Sequence, residues 1–305
     1  VLEAARKLNY HPDASGRKLV SGKSSTVGLV LQQSADQIIA DAFLLHVMMG
    51  IEQSVSQSGF HVLLKPNDPA HPQGYTQLVS ENLVDGIIVS GPRQDDEDLK
   101  RFYESGFPVV LMGQLNENTL PFVDVNAVEG AAAATRHLIQ LGHRRIALIT
   151  NASLQYTSAQ QRRQGYIQAL NEAGIPAEEA LMREGAYTSE SGFEAMQHIL
   201  ALPVLPTAVF VASDVVALGA MQAIRNAGMR IPEDMAVVGF DDIPMAPYFD
   251  PPLTTIRLPA FQLGWTAGKQ LIALMLGRTL EQHSILLDSE LVVRKSSGGT
   301  FAQVK

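Results

Sequence analysis

Met235-Ala-Val-Val-Gly-Phe-Asp-Asp-Ile-Pro244, followed a few residues on by Pro251-Pro-Leu-Thr-Thr-Ile256, sets the fold class of the chain. Residues 235–240 form a short apolar run, the pattern of a strand buried on both faces of a parallel sheet. The run ends in two carboxylates, Asp241 and Asp242. Ligands of open α/β sheets bind outside the carboxyl ends of the strands. An ionised carboxylate placed there is an acceptor-only group, suited to gripping hydroxyls or amines. Pro251 and Pro252 force extended backbone, which suits a chain crossing between two domains. The proline-rich loop gives way to a second short strand over 254–258. Asp241 is therefore expected to hold a ligand, and residues 251–256 to act as a hinge.

Outward from this stretch, strands and helices alternate. Apolar runs at 27–31, 60–64, 86–89, 108–111, 145–149 and 208–211 read as strands. Between them, residues 43–57, 73–82, 97–105, 128–140, 158–173, 191–200 and 214–227 read as helices, several closed by a glycine such as Gly59, Gly174 or Gly228. A long helix over 261–276 and two short strands, 284–287 and 290–294, complete the chain. Strands alternating with helices predict a parallel sheet covered on both faces. There are more strands than one mononucleotide-binding half needs, so the fold class is α/β with two doubly wound parallel-sheet lobes and a central cleft. The expected division is residues 26–124 plus 256–288 for the N-terminal lobe and 125–255 plus 289–305 for the C-terminal lobe. Residues 1–25 stand apart.

Composition fits a globular protein, with 46% hydrophobic and 18% charged residues over 305 positions. No apolar run is long enough to span a bilayer. With no cysteine, disulfides and thiolate metal sites are excluded. The net charge is −8, yet residues 1–25 carry five basic and two acidic side chains, or +3, leaving −11 for the rest. A basic arm on an acidic body reads as a module that meets a polyanion, or as a solvated terminus. In that arm, Val1, Leu2, Ala5 and Leu8 share a helix face, and a second short helix is expected over 13–20 after Pro12. It is too short to be stable alone. The chain begins with Val1 and is expected to be a piece of a longer protein.

A set of motifs in this order resembles the lactose-repressor (LacI/GalR) family of transcription regulators. They are Leu8-Asn-Tyr-His-Pro-Asp13 with Arg17-Lys-Leu19, Gly142-His-Arg-Arg-Ile146, Arg162-Arg-Gln-Gly-Tyr166, Ser213-Asp-Val-Val-Ala-Leu-Gly219, Val238-Gly-Phe-Asp-Asp242 and Pro251-Pro-Leu-Thr-Thr255. The resemblance implies a periplasmic-binding-protein-like core of type I that binds a small-molecule effector, most often a sugar. It implies a cytoplasmic homodimer, operator DNA as partner, no membrane, no cofactor and no catalysis. Residues 1–8 look like the last helix of a DNA-binding headpiece, so the recognition helix is expected to lie ahead of Val1. Residues 13–20 look like the hinge helix, with Leu19 as the minor-groove wedge and Arg17, Lys18 and Ser15 as its companions on DNA. An apolar wedge offsets unstacking by the wider contact a kinked duplex allows, and basic side chains meet phosphates. Asp13 and Gly16 depart from the family's usual asparagine and alanine, which weakens the hinge helix.

For the effector, the resemblance implies Asp241, Arg162, Ser213, Tyr187, Phe43 and Ser158. A carboxylate that accepts from hydroxyls and a guanidinium that donates to them make a polyol site, with aromatic faces to stack on a sugar ring. The alternative is an Asp241–Arg162 salt bridge that only staples two elements together, with Phe43 and Tyr187 as core aromatics. The family's usual Asp-Asn pair is Val125-Asn126 here. Asp124 stands next to it, but strand alternation points it the other way, and it is given no role.

Other motifs carry less. Gly142-His-Arg-Arg145 reads as a turn into a strand, Trp265 as packing, and the histidines lack metal-ligand spacing. Neither a phosphate loop nor a nucleophile–base pair is visible. The rival reading is the sugar-binding protein of a transport system with no DNA role, which has no use for residues 8–19. A Rossmann-type enzyme is disfavoured by the missing phosphate loop.

Overall fold

Strands β1 (Thr26–Leu31), β3 (Gly86–Ser90) and β4 (Val109–Met112) are nearly continuous runs of Val, Leu and Ile and are buried along almost their whole length, once β2 (His61–Pro66) is set at their edge. β2 carries Lys65 and Pro66 and is largely exposed. Charge and proline on an outer strand oppose pairing with a second molecule. The structure is a computed structural model and describes residues 23–68, 75–115 and 120–298. Along the chain β5 (Phe122–Val125), β6 (Ile146–Ile149), β7 (Met182–Arg183), β8 (Ala208–Val211), β9 (Ala236–Asp241), β10 (Thr254–Arg257), β11 (Ser284–Leu287) and β12 (Glu290–Val292) follow.

These strands form two six-stranded sheets. The first has the order β11-β5-β4-β3-β1-β2 and the second β12-β10-β9-β8-β6-β7. Every pairing is parallel except β10 with β12, where Thr255 faces Val292. Each sheet is covered by helices on both faces, as parallel sheets require. In the first lobe the helices Ala42–Ser56 and Ala260–Met275 pack face to face. Their backbones touch: a methyl group placed on Gly264 would stand 2.0 Å from the Val47 carbonyl oxygen. In the second lobe Ala127–Gln140 packs on Thr157–Glu172, and Ser189–Leu200 on Asp214–Asn226.

The chain crosses between lobes three times. It leaves the first sheet after Val125, returns after Arg257, and leaves again between Leu287 and Glu290. The expected hinge over 251–256 is corrected by this path. Thr254–Arg257 lies inside the second sheet, paired with β9 from Thr254 opposite Val238 to Arg257 opposite Asp241. The strand expected over 254–258 is present, and its pairing with β9 and β12 on both edges holds it inside the second sheet and not between the lobes. The crossing falls at Leu258–Pro259 instead, where the Leu258 N–H donates to the Asp241 carbonyl at 3.3 Å. Residues 1–22, with the expected headpiece helix and hinge helix, lie outside the described residues.

Candidate ligand site

The carboxyl end of β9 is pinned in a conformation that side chains rarely adopt. Asp241 has φ of 120° and Asp242 of 54°. Non-glycine residues there cost free energy and persist only when their surroundings hold them. Three groups do so. The Asp214 carboxylate, fully buried beneath the turn, accepts from the Ile243 N–H at 3.0 Å and the Thr255 hydroxyl at 2.6 Å. The Asp242 carboxylate accepts from Arg257 and from Arg294, each at 2.7 Å. Gly239 completes the fit, because a Cβ on it would stand 2.2 Å from Asp214 Oδ1.

So held, Asp241 faces the cleft between the lobes, which encloses about 780 Å³ including its mouth. Arg162, in the second turn of Thr157–Glu172, reaches it from the second lobe. Its Nη2 stands 3.5 Å from Asp241 Oδ1, its Nη1 donates to the Ala212 carbonyl, and its Cζ lies 4.2 Å above the Phe240 ring. Ser213 and the Asp214 backbone amide help to hold the Asp241 pKa down. Burial nevertheless raises its pKa to about 7; Arg162 pulls it down and Asp41 pushes it up. Asp214 is pushed well above the usual carboxylate range, by burial first and by the Asp241 charge second.

Tyr187 forms an aromatic wall. It has φ of 61° and meets Tyr156 edge to face, with centroids 5.5 Å apart at 87°. Beside it, the Ser158 oxygen accepts from the Asn151 amide at 3.1 Å. Burial pushes the Tyr187 hydroxyl pKa up, so the group stays neutral. The first lobe supplies Phe43, from the start of Ala42–Ser56. It packs against the apolar clusters of both lobes and lines the cleft. Phe43, Ser158, Arg162, Tyr187, Ser213 and Asp241, each singled out in the sequence, thus line one cavity. Leu19, Arg17, Lys18 and Ser15 lie outside the described residues.

Two further acids line the same cavity. Asp41 caps the helix Ala42–Ser56, accepting from the Phe43 N–H at 3.0 Å, and burial raises its pKa to about 6. A capping acid two residues ahead of the aromatic is a legible signal, and it was missed. Asp124 corrects the alternation argument. At the last two residues of β5 the cleft wraps round the strand end, so Asp124 and Val125 both meet it. Asp124 accepts from the Gln114 amide at 2.9 Å and the Val125 N–H at 2.8 Å, while burial raises its pKa to about 6.

The lips of the cleft are joined. The Tyr156 hydroxyl donates to the Gln32 carbonyl at 2.6 Å, Arg93 to Gln155 at 2.7 Å, and Gln37 to the Ala186 carbonyl at 3.0 Å.

A two-lobed fold with a polar cleft is shared with known proteins. Residues 135–297 match the periplasmic binding protein-like domain. The HTH-type transcriptional repressor PurR of Mannheimia succiniciproducens is 34% identical over 302 residues, covering 97% of this chain and 88% of the relative. This chain belongs to the LacI family of transcription regulators. Among solved LacI-family structures, a complex of the regulator CelR with cellobiose has 30% identity and a TM-score of 0.82, covering 96% of this chain and 88% of that one. The lac repressor dimer bound to operator and the anti-inducer ONPF has 28% identity and a TM-score of 0.83, covering 97% and 88%. LacI-family proteins are regulators and not enzymes. Among the described residues no helix is long and apolar enough to cross a membrane.

Proposed function

We propose that this chain is the effector-binding core of a transcriptional repressor whose hold on operator DNA is set by a sugar bound between its lobes. The observation that carries the reading is the open Asp241–Arg162 pair at the end of β9, flanked by the aromatic walls Phe43 and Tyr187. Carboxylate and guanidinium together accept from and donate to hydroxyls, and aromatic faces beside them suit a sugar ring. Asp241, Arg162, Ser213, Ser158 and Tyr187 of the second lobe and Phe43 of the first are the proposed contacts. A ligand touching both lobes favours one angle between them. In a homodimer that angle sets the spacing of the two hinge segments, and so operator affinity. Leu45 and Met49 lie one turn apart on Ala42–Ser56 and are 55% and 60% exposed, while Met245 and Tyr248 of the second lobe are 55% and 79% exposed. Such paired apolar patches support a two-fold dimer, matched to a palindromic operator. The proposed place of action is the cytoplasm, where the operator is.

Thermal-shift screening against a sugar and nucleoside panel tests the reading, since a ligand of the folded state raises stability by mass action. A sugar that raises the melting temperature of the parent and not of Asp241→Asn supports it. A response to nucleosides alone, or sugar shifts that survive Asp241→Asn unchanged, would overturn it.

A further inference from the structure

Three carboxylates line the cleft, Asp41 and Asp124 from the first lobe and Asp241 from the second, against the single guanidinium of Arg162. When all four are ionised the wall carries −2. Arg162 does not discharge this imbalance. One terminal nitrogen is taken by the Ala212 carbonyl and the other faces Asp241. An independent observation points the same way. Asn151 lines the cleft at 1% exposure, and its Oδ1, an acceptor, has no hydrogen-bond partner. Its amide nitrogen is already committed to Ser158. The wall therefore has acceptors in surplus.

We infer that the effector carries a protonated amine, as an amino sugar or another polyhydroxylated amine does. This rests on the reading of the cleft as a sugar site and narrows it. An ammonium group offers three donors and no acceptor, which suits a wall rich in carboxylates with the Asn151 oxygen among them. It also supplies the charge that buried carboxylates need, since an uncompensated buried charge is costly. Phe43, Tyr156 and Tyr187 give it aromatic faces, which attract a desolvated cation. A neutral sugar satisfies the geometry and leaves the charge uncompensated. A phosphorylated sugar adds like charge to three carboxylates.

Calorimetric titration of the chain with matched ligands tests this. The probes are glucosamine, N-acetylglucosamine, glucose and glucose 6-phosphate; galactosamine, N-acetylgalactosamine and galactose; and cellobiose against the glucosamine disaccharide of the same linkage. The expected result is one free amine that binds at least about tenfold more tightly than its neutral and N-acetyl partners, a factor each 1.4 kcal/mol of differential interaction supplies. Asp124→Asn should narrow that preference severalfold, with circular dichroism confirming the fold. If a neutral or N-acetyl sugar binds as tightly as its amine, the cationic effector is refuted and the sugar site stands. If no probe binds, both readings fall together.

Discussion

Arg162 Nη2 and Asp241 Oδ1 stand 3.5 Å apart, close enough to pair as charges and too far for a good hydrogen bond. Both groups are held in place, Arg162 by the Ala212 carbonyl and the Phe240 ring, Asp241 by the turn that Asp214 pins at the end of β9. A structural staple closes to hydrogen-bond distance. This pair is fixed open at the edge of a cavity, with capacity left on both sides for a third group.

Asp241→Asn keeps the size of the side chain and removes its charge. Hydrogen bonds to charged groups contribute about 1.5–3 kcal/mol, so effector affinity should fall by roughly one to two orders of magnitude. Calorimetry reads the loss, and unchanged affinity would exclude Asp241 as a contact.

Asp124 titrates at about 6 in the fold because burial outweighs its hydrogen bonds from Gln114 and Val125. In the unfolded chain it titrates near ~3.9. A folded pKa above the unfolded one gives stability that is fully present below the unfolded pKa and is lost as pH rises through the folded value. Asp124→Asn removes that loss. It should be the more stable form near pH 8, by up to about 3 kcal/mol, and the gap should close towards about pH 4. Denaturant melts at both pH values check this; a constant difference would contradict it.

Gly239→Ala sets a methyl group 2.2 Å from Asp214 Oδ1 and 2.8 Å from Leu253 Cδ2. Overpacking of this kind costs about 1–3 kcal/mol. Because Asp214 pins the Asp241 turn, ligand affinity should fall along with stability. A variant that is destabilised yet binds normally would uncouple the turn from the site.

Tyr156→Phe deletes the hydroxyl that donates to the Gln32 carbonyl across the cleft lips. A net hydrogen bond contributes about 1 kcal/mol, so effector should dissociate severalfold faster while its contacts with Asp241 remain. Stopped-flow dissociation measures this, and an unchanged off-rate would mean the lip contact plays no part in retention.

What was legible in the sequence follows from what leaves a local pattern. β9 is a continuous apolar run ending in acids, so both strand and tip could be read from residues 235–242. Arg162, Ser213 and Tyr187 carry no such pattern, and their assembly around Asp241 came only through the family motifs. The two-residue strand Met182–Arg183 is too short for any periodicity. The strand over 254–258 was legible, but the hinge reading of 251–256 misled, because two prolines say nothing of the sheet whose edges take the segment up. Asp124 misled because alternation assigns faces only where a strand has neighbours along its length, and at its end the cleft reaches both.

The central claim is that a ligand on Asp241 sets operator affinity. Fluorescence anisotropy on operator DNA, with the regulator carrying its DNA-binding headpiece and with and without effector, tests it most directly. Coupling free energies of about 1–3 kcal/mol predict that effector shifts the operator Kd by roughly 5–150-fold in the parent. The shift should vanish in Asp241→Asn at the same effector concentration while operator affinity without effector is retained. An equal shift in both proteins would contradict the account.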